Sequence, residues 1–188
     1  MPRLTPITEA DLDDAQRAVL EAIQQGPRGA GMGLTGPFGV YVRSPGVGDA
    51  AQNLGAAVRY RTELPENVKE VAICTVGAFY RARYEFAAHA ALAAKAGVDA
   101  TVIEALRTGA TPEFADQREA VAHAVAGALL ASHTVDDALY ARGLEVLGET
   151  GMVELVMTVG YYCLVSLTLN AFRIPLREGM QDPFPEAD

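Results

Sequence analysis

A chain of 188 residues that is 50% hydrophobic and 21% charged, with a formal net charge of −9, has the size and composition of one globular domain with a substantial core, which excludes a disordered chain. Its pI near 4.8 and its scattered basic residues repel phosphate backbones and anionic lipid, so nucleic acid is not an expected partner. Two lone cysteines, Cys74 and Cys163, each in an apolar run, make neither a disulfide scaffold nor a four-ligand zinc site and fit a reducing, cytoplasmic compartment.

Met1 to Leu12 is acidic and punctuated by proline, without the basic and then apolar pattern of a secretory signal. From Thr8, a plausible cap, to Gln25, the spacing of Leu12, Ala15, Val19, Ala22 and Ile23 predicts a helix with one apolar face. Gly26 to Gly39 holds six glycines and two prolines, and reads as a flexible loop over a pocket. It lacks the context of a phosphate loop. Ser44 and Pro45 open a helix to about Arg61, Pro65 opens another to about Tyr80, and the two are expected to pack as a hairpin. Tyr84 to Ala96 is helical and ends at Gly97, and Asp99 caps a short helix to Arg107. Thr111 and Pro112 start a long helix to about Ser132, and Thr134 to Asp136 start another to Leu147. The last helix follows Gly151, and its Leu155 to Phe172 stretch carries no charge, approaching the roughly 20 residues of a membrane span. Thr158, Ser166, Thr168 and Asn170 interrupt it and no basic cluster anchors it, so a buried core helix is expected and no membrane partner. Pro175 to Asp188 reads as an extended arm. With no convincing strand, residues 1–188 form one all-α domain, a bundle of about eight helices, in which 1–35 are the N-terminal helix and Gly-rich loop.

Glu85 and His89 are four apart on a predicted helix, so they share a face and can share a proton. On the preceding helix Glu70 interrupts the apolar run from Val68 to Ala78, where a charge is out of place unless its face meets a polar cavity or water. Two carboxylates around an imidazole make a site that donates and accepts protons near neutral pH. The competing reading is a surface salt bridge of Glu85 with Arg81 and a solvated Glu70 near its helix start. Tyr84 with Arg81 or Arg83 offers a phenol and a guanidinium for a substrate carboxylate. His123 and His133 have no companions at ligand spacing, no metal site is expected, and both cysteines read as buried, inert thiols.

The block Leu64-Pro-Glu-Asn-Val-Lys-Glu70, then Tyr84-Glu85-Phe86-Ala-Ala-His89, then Gly97-Val-Asp, resembles the core of the carboxymuconolactone decarboxylase and alkylhydroperoxidase D superfamily. The flanks Gly36-Pro-Phe38 to Ser44-Pro45 and Gly160-Tyr-Tyr162 to Phe172 resemble its longer decarboxylase-like members, so the likeness runs from about Gly36 to Pro175. In the peroxidase branch, a Cys-x-x-Cys pair lies between the glutamate and the histidine. Here Glu70 and His89 match, but Ala82 and Glu85 stand at the cysteine positions, so no thiol-dependent peroxidase activity is expected whatever label the superfamily lends. Glu85-Phe86 and His89 instead reproduce the Glu-Phe-x-x-His arrangement of the decarboxylase-like branch. The resemblance implies a cofactor-free reaction on a small cyclic carboxylated lactone or similar acid. His89 would be the general acid/base, Glu70 and Glu85 would share or tune its proton, and Tyr84, Arg81, Arg83 and Phe38 would contact substrate. It also implies a homo-oligomer (dimer, trimer or hexamer) in which the Gly-rich segment and a neighbouring subunit close the pocket. Isomerisation or hydrolysis by the same residues, and a helical oligomer that only binds a ligand, stand as alternatives.

Overall fold

The computed structural model describes residues 1–29 and 31–185, which are helical and form no strand. In chain order the helices are α1 (Asp14–Gln25), α2 (Phe38–Tyr41), α3 (Pro45–Tyr60), α4 (Glu66–Phe79), α5 (Arg83–Lys95), α6 (Ala100–Thr108), α7 (Gln117–Ser132) and α8 (Asp137–Phe172). The all-α expectation holds, with one change in how the helices are divided: a short helix, α2, forms inside the segment read as loop and linker. The break expected after Leu147 is present within α8 as a kink at Gly148, whose φ of 71° and ψ of 175° belong to a region essentially reserved for glycine.

Side-chain caps set several boundaries that the sequence placed differently. Thr8 caps only the 3-10 turn Glu9–Asp11, by donating its hydroxyl to Asp11 at 2.7 Å. Asp13 and Gln16 then exchange side-chain bonds with each other's backbone N–H, and α1 starts there. Helix α7 begins five residues after Pro112, where the Asp116 carboxylate accepts from the Arg118 backbone N–H at 2.8 Å.

Helix α4 is the hub, with every residue from Val68 to Gly77 buried. One side of it (Val68, Ala72, Ile73, Val76) packs into a core with Val121 and Val125 of α7 and Leu155, Val159 and Leu169 of α8. The other side (Val71, Cys74) meets Phe86 of α5 and Val102 and Leu106 of α6. With its faces taken by α5 to α8, α4 has none left for α3, and the expected hairpin of these two helices does not form. Helix α3 packs instead on α1, α2 and α8, and reaches α4 through Arg59 near its C-terminus. A helix enclosed on all sides must satisfy its charges inside the protein. Lys69 accordingly donates to the Arg59 carbonyl at 2.7 Å and pairs with Glu66 at 2.8 Å.

The expected burial of the last helix is met on one face only. Leu155, Val159, Tyr162, Val165 and Leu169 are buried, while Val153, Val156, Met157, Leu164 and Leu167 form an exposed stripe on the opposite side. By length and composition α8 is apolar enough to cross a membrane, yet half of its most apolar stretch is buried in this fold. Beyond α8 the chain is no free arm. Phe184 is buried with its ring 5.1 Å from that of Phe86, and Arg107 donates to the Pro183 carbonyl at 2.9 Å. The last residues of the expected arm, 186–188, lie outside the described residues.

Candidate active site

Glu70, in the second turn of α4, is 1% exposed, and the turn at Tyr80–Ala82 brings α5 back alongside it. This antiparallel return places the α5 pair beside Glu70. His89 Nδ1 lies 2.7 Å from Glu70 Oε2, a hydrogen bond, and Nε2 lies 3.1 Å from Glu85 Oε1. The second contact is an ion pair whose angle falls outside hydrogen-bond geometry, so Glu85 Oε1 is left buried without a donor. Arg59, from the last turn of α3, pairs with the other oxygen of Glu70 and lies 3.6 Å from Glu66. The reading as surface salt bridges is therefore overturned: Glu70, Glu85 and His89 converge and all three are buried.

Burial by itself would depress the His89 imidazole, but the Glu85 and Glu70 carboxylates outweigh it and raise the group to about 9. His89 is thus an imidazolium at neutral pH. For Glu70, burial pushes upward, and the His89 and Arg59 cations overcome it and hold the carboxyl below its ordinary range. The arrangement is a charge-compensated cluster with a proton on the central ring.

A cavity of about 140 Å³ opens beside Glu85 and His89. Its walls carry three guanidiniums, Arg28, Arg59 and Arg177, and four phenols, Tyr60, Tyr84, Tyr161 and Tyr162. Arg28 comes from the Gly-rich loop, donates to the Gln52 carbonyl at 3.2 Å and lies over the Phe38 ring at 5.2 Å. Arg177 comes from the segment after α8 and lies 5.3 Å from the Tyr84 ring centre. Neither makes an ion pair among the described residues, whereas Arg59 is spent on Glu70. Tyr162 meets His89 edge to face, with ring centres 5.0 Å apart, and burial raises the pKa of Tyr84, Tyr161 and Tyr162. These phenols are therefore neutral hydrogen-bond donors facing an anion-attracting space.

Of the expected substrate contacts, Tyr84 and Phe38 line this cavity and Arg81 and Arg83 do not. Arg81 follows α4 in a left-handed conformation and lies over Phe184, and Arg83 points to the C-terminal segment and pairs with Asp182. Arg83, two positions before Glu85 on α5, faces away from it by helical phase, whereas Arg81 lies in the turn before α5, where its left-handed backbone breaks the four-residue register with Glu85. The cavity guanidiniums come instead from Arg28, Arg59 and Arg177, which sequence spacing did not reveal because each lies on a different segment. Tyr161 and Tyr162 were also missed, although a Tyr-Tyr pair in an otherwise apolar helix was a readable signal. Neither thiol lines the cavity, and burial raises both Cys74 and Cys163 above their usual range. His123 lies apart, hydrogen-bonded to Thr75 at 3.0 Å, with burial lowering its pKa.

Fold and site together define an all-α protein with a buried carboxylate–imidazolium–carboxylate centre beside a cavity rich in arginine and tyrosine. No family model and no curated protein matches the sequence. Among solved structures, the fold is similar to that of the debrominase Bmp8 without ligand, with a TM-score of 0.70 at 15% identity, covering 93% of this chain and 91% of that one. A cysteine-to-alanine variant of the same debrominase, in complex with 2,3,4-tribromopyrrole, gives 0.71 at 16% identity with the same coverage. At this identity the likeness shows the fold, and both chains are spanned almost end to end.

The two perturbed groups stabilise the fold in different pH ranges. His89 lies above its usual 6.5, so its contribution is fully present below about 6.5 and is lost as pH rises through about 9. Glu70 lies below its usual 4.5, so its contribution is present above that value and is lost as pH falls through its depressed one. Urea unfolding is expected to show stability declining between about pH 6.5 and 9, and His89→Gln should flatten that decline. An unchanged slope in the variant would remove His89 as its source.

Proposed function

We propose that this chain is a cofactor-free proton-transfer enzyme of the carboxymuconolactone decarboxylase and alkylhydroperoxidase D superfamily, most simply a decarboxylase acting on a small cyclic carboxylated lactone or similar acid. The observation that carries the reading is the protonated His89, held by Glu70 on Nδ1 and by Glu85 near Nε2, at the wall of a cavity lined by guanidiniums. Loss of carbon dioxide breaks the carbon–carbon bond and leaves its electron pair on the substrate as an enolate. His89 Nε2–H gives its proton to carbon, Glu70 keeps the bond to Nδ1–H, and solvent restores the imidazolium. Groups assist only where they bind the transition state better than the substrate. Arg28 and the phenols are therefore assigned to the developing enolate oxygen, and Arg177 to binding the substrate carboxylate.

A thiol-dependent reaction, whether on peroxide or on a carbon–halogen bond, finds no cysteine among the residues that line the cavity. The cytoplasmic setting and the small-molecule partner remain part of this reading.

We also propose that the protein is a homo-oligomer joined through the exposed stripe of α8. Two copies can oppose this stripe because it carries no charge, despite a net −9 on each chain.

Carbon dioxide release from a panel of carboxylactones and β-keto acids is the direct assay. His89→Gln and Glu70→Gln should each lower turnover by about 100-fold or more, while the double variant Cys74→Ala/Cys163→Ala keeps it. Full activity in His89→Gln would overturn the site assignment, and loss in the cysteine-free protein would reinstate thiol chemistry. In light scattering after gel filtration, Val156→Asp/Met157→Asp should reduce the mass to that of one chain. A monomeric wild type, or a variant that stays associated, would contradict the α8 interface.

A further inference from the structure

The cavity beside His89, at about 140 Å³, is small against the roughly 300–1,000 Å³ of sites that enclose organic ligands. Two of its wall residues, Tyr84 and Arg177, also line a groove of about 450 Å³ on their far side. Taken together, the two spaces reach the size such ligands need. The groove lies between segment 2–7, loop 34–39 and segment 174–178, and Leu4, Ile7, Leu34, Ile174 and Leu176 face it from both sides. Its one other guanidinium, Arg43, is committed to the carbonyls of Gly39 and Thr5, at 3.0 and 2.5 Å, and so joins the walls.

Tyr84 forms the partition. Gly36 adopts a φ of 59°, and a Cβ there would come within 2.7 Å of the Tyr84 ring, so only glycine lets the loop seat the phenol against its backbone. On its other side Tyr84 meets Arg177, which makes no ion pair among the described residues. A cation thus stands between the cavity that holds His89 and a groove with aliphatic walls. A second groove, beneath the C-terminal segment against α5 and α6, also reaches Arg177; Glu178 lines both grooves, but this one adds two further carboxylates, Glu104 and Asp182, against one further cation, Arg107, which is already paired with Glu104, and is the less favourable for a carboxylate.

Building on the reading of the His89 cavity as the reaction site, we propose that the aliphatic groove is the subsite for the apolar chain of the substrate. The protein then takes carboxylates that carry an aliphatic or aryl chain of several carbons, with the carboxylate at Arg177 and the chain beyond Tyr84. Arg177 is the specificity-determining residue of this arrangement, delivered by a segment that Phe184 anchors to the core.

Calorimetric titration with acetate, butanoate, hexanoate and octanoate at neutral pH tests this without any chemical step. From butanoate upward, Kd should fall by about fourfold per added methylene. Leu176→Trp and, from the opposite wall, Ile7→Trp should each remove that dependence, Ala91→Trp in the second groove should leave it, and Arg177→Gln should weaken every member about tenfold. A flat series, a slope that survives both groove variants, or one lost only in Ala91→Trp would overturn the proposal. The slope reads binding alone, so a protein that shows it yet releases no carbon dioxide keeps the groove and loses the reaction proposed above.

Discussion

A carboxylate with almost no exposure persists only where cations compensate it, and Glu70 has two, His89 on one oxygen and Arg59 on the other. Much of the molecule is organised around that requirement. Helix α4 is enclosed along ten consecutive positions, so Glu70 has no route to solvent by side-chain rotation. The last turn of α3 and the middle of α5 must therefore bring their cations to it. Removing one partner of such a cluster typically costs about 3–5 kcal/mol, because the other charge is left buried and alone. The interaction that fixes three helices against each other also keeps a proton on His89.

Two segments outside the helical core turn this charged cluster into a site. The Gly-rich loop and the start of α2 supply Arg28 and Phe38, and the chain beyond α8 supplies Arg177, so segments distant in sequence line the cavity together. Both segments are held by specific contacts. Arg28 is tied to α3 through the Gln52 carbonyl, and the C-terminal segment is anchored by Phe184 and by the bond from Arg107 to Pro183. Guanidiniums delivered from outside the helices let the cavity attract an anion without disturbing the neutralisation of Glu70.

Much of this was legible in the sequence because it depends on local pattern. Helical periodicity and the capping residues Asp99 and Asp136 located most elements, and the four-residue spacing of Glu85 and His89 put them on one face. Glu70 was conspicuous as a charge in an apolar run. What stayed hidden depends on packing between distant segments. Nothing local in Arg59 or Arg177 announces that one will neutralise Glu70 and the other will reach Tyr84. The α3–α4 hairpin failed for the same reason, since adjacency in sequence suggested a contact that α7 and α8 pre-empt. Arg81 and Arg83 lie near Glu85 in sequence, but helical phase turns Arg83 away from it and the left-handed turn before α5 sends Arg81 to Phe184.

The central claim is that His89 is a cation between two buried carboxylates near neutral pH. Nitrogen-15 NMR of the histidine-labelled protein reads this directly, because the two ring nitrogens give alike shifts when both carry protons and well-separated ones in a neutral tautomer. The account predicts an imidazolium at pH 7 that titrates near 9. A neutral His89 tautomer at pH 7 would contradict it, and with it the assignment of this residue as the proton donor.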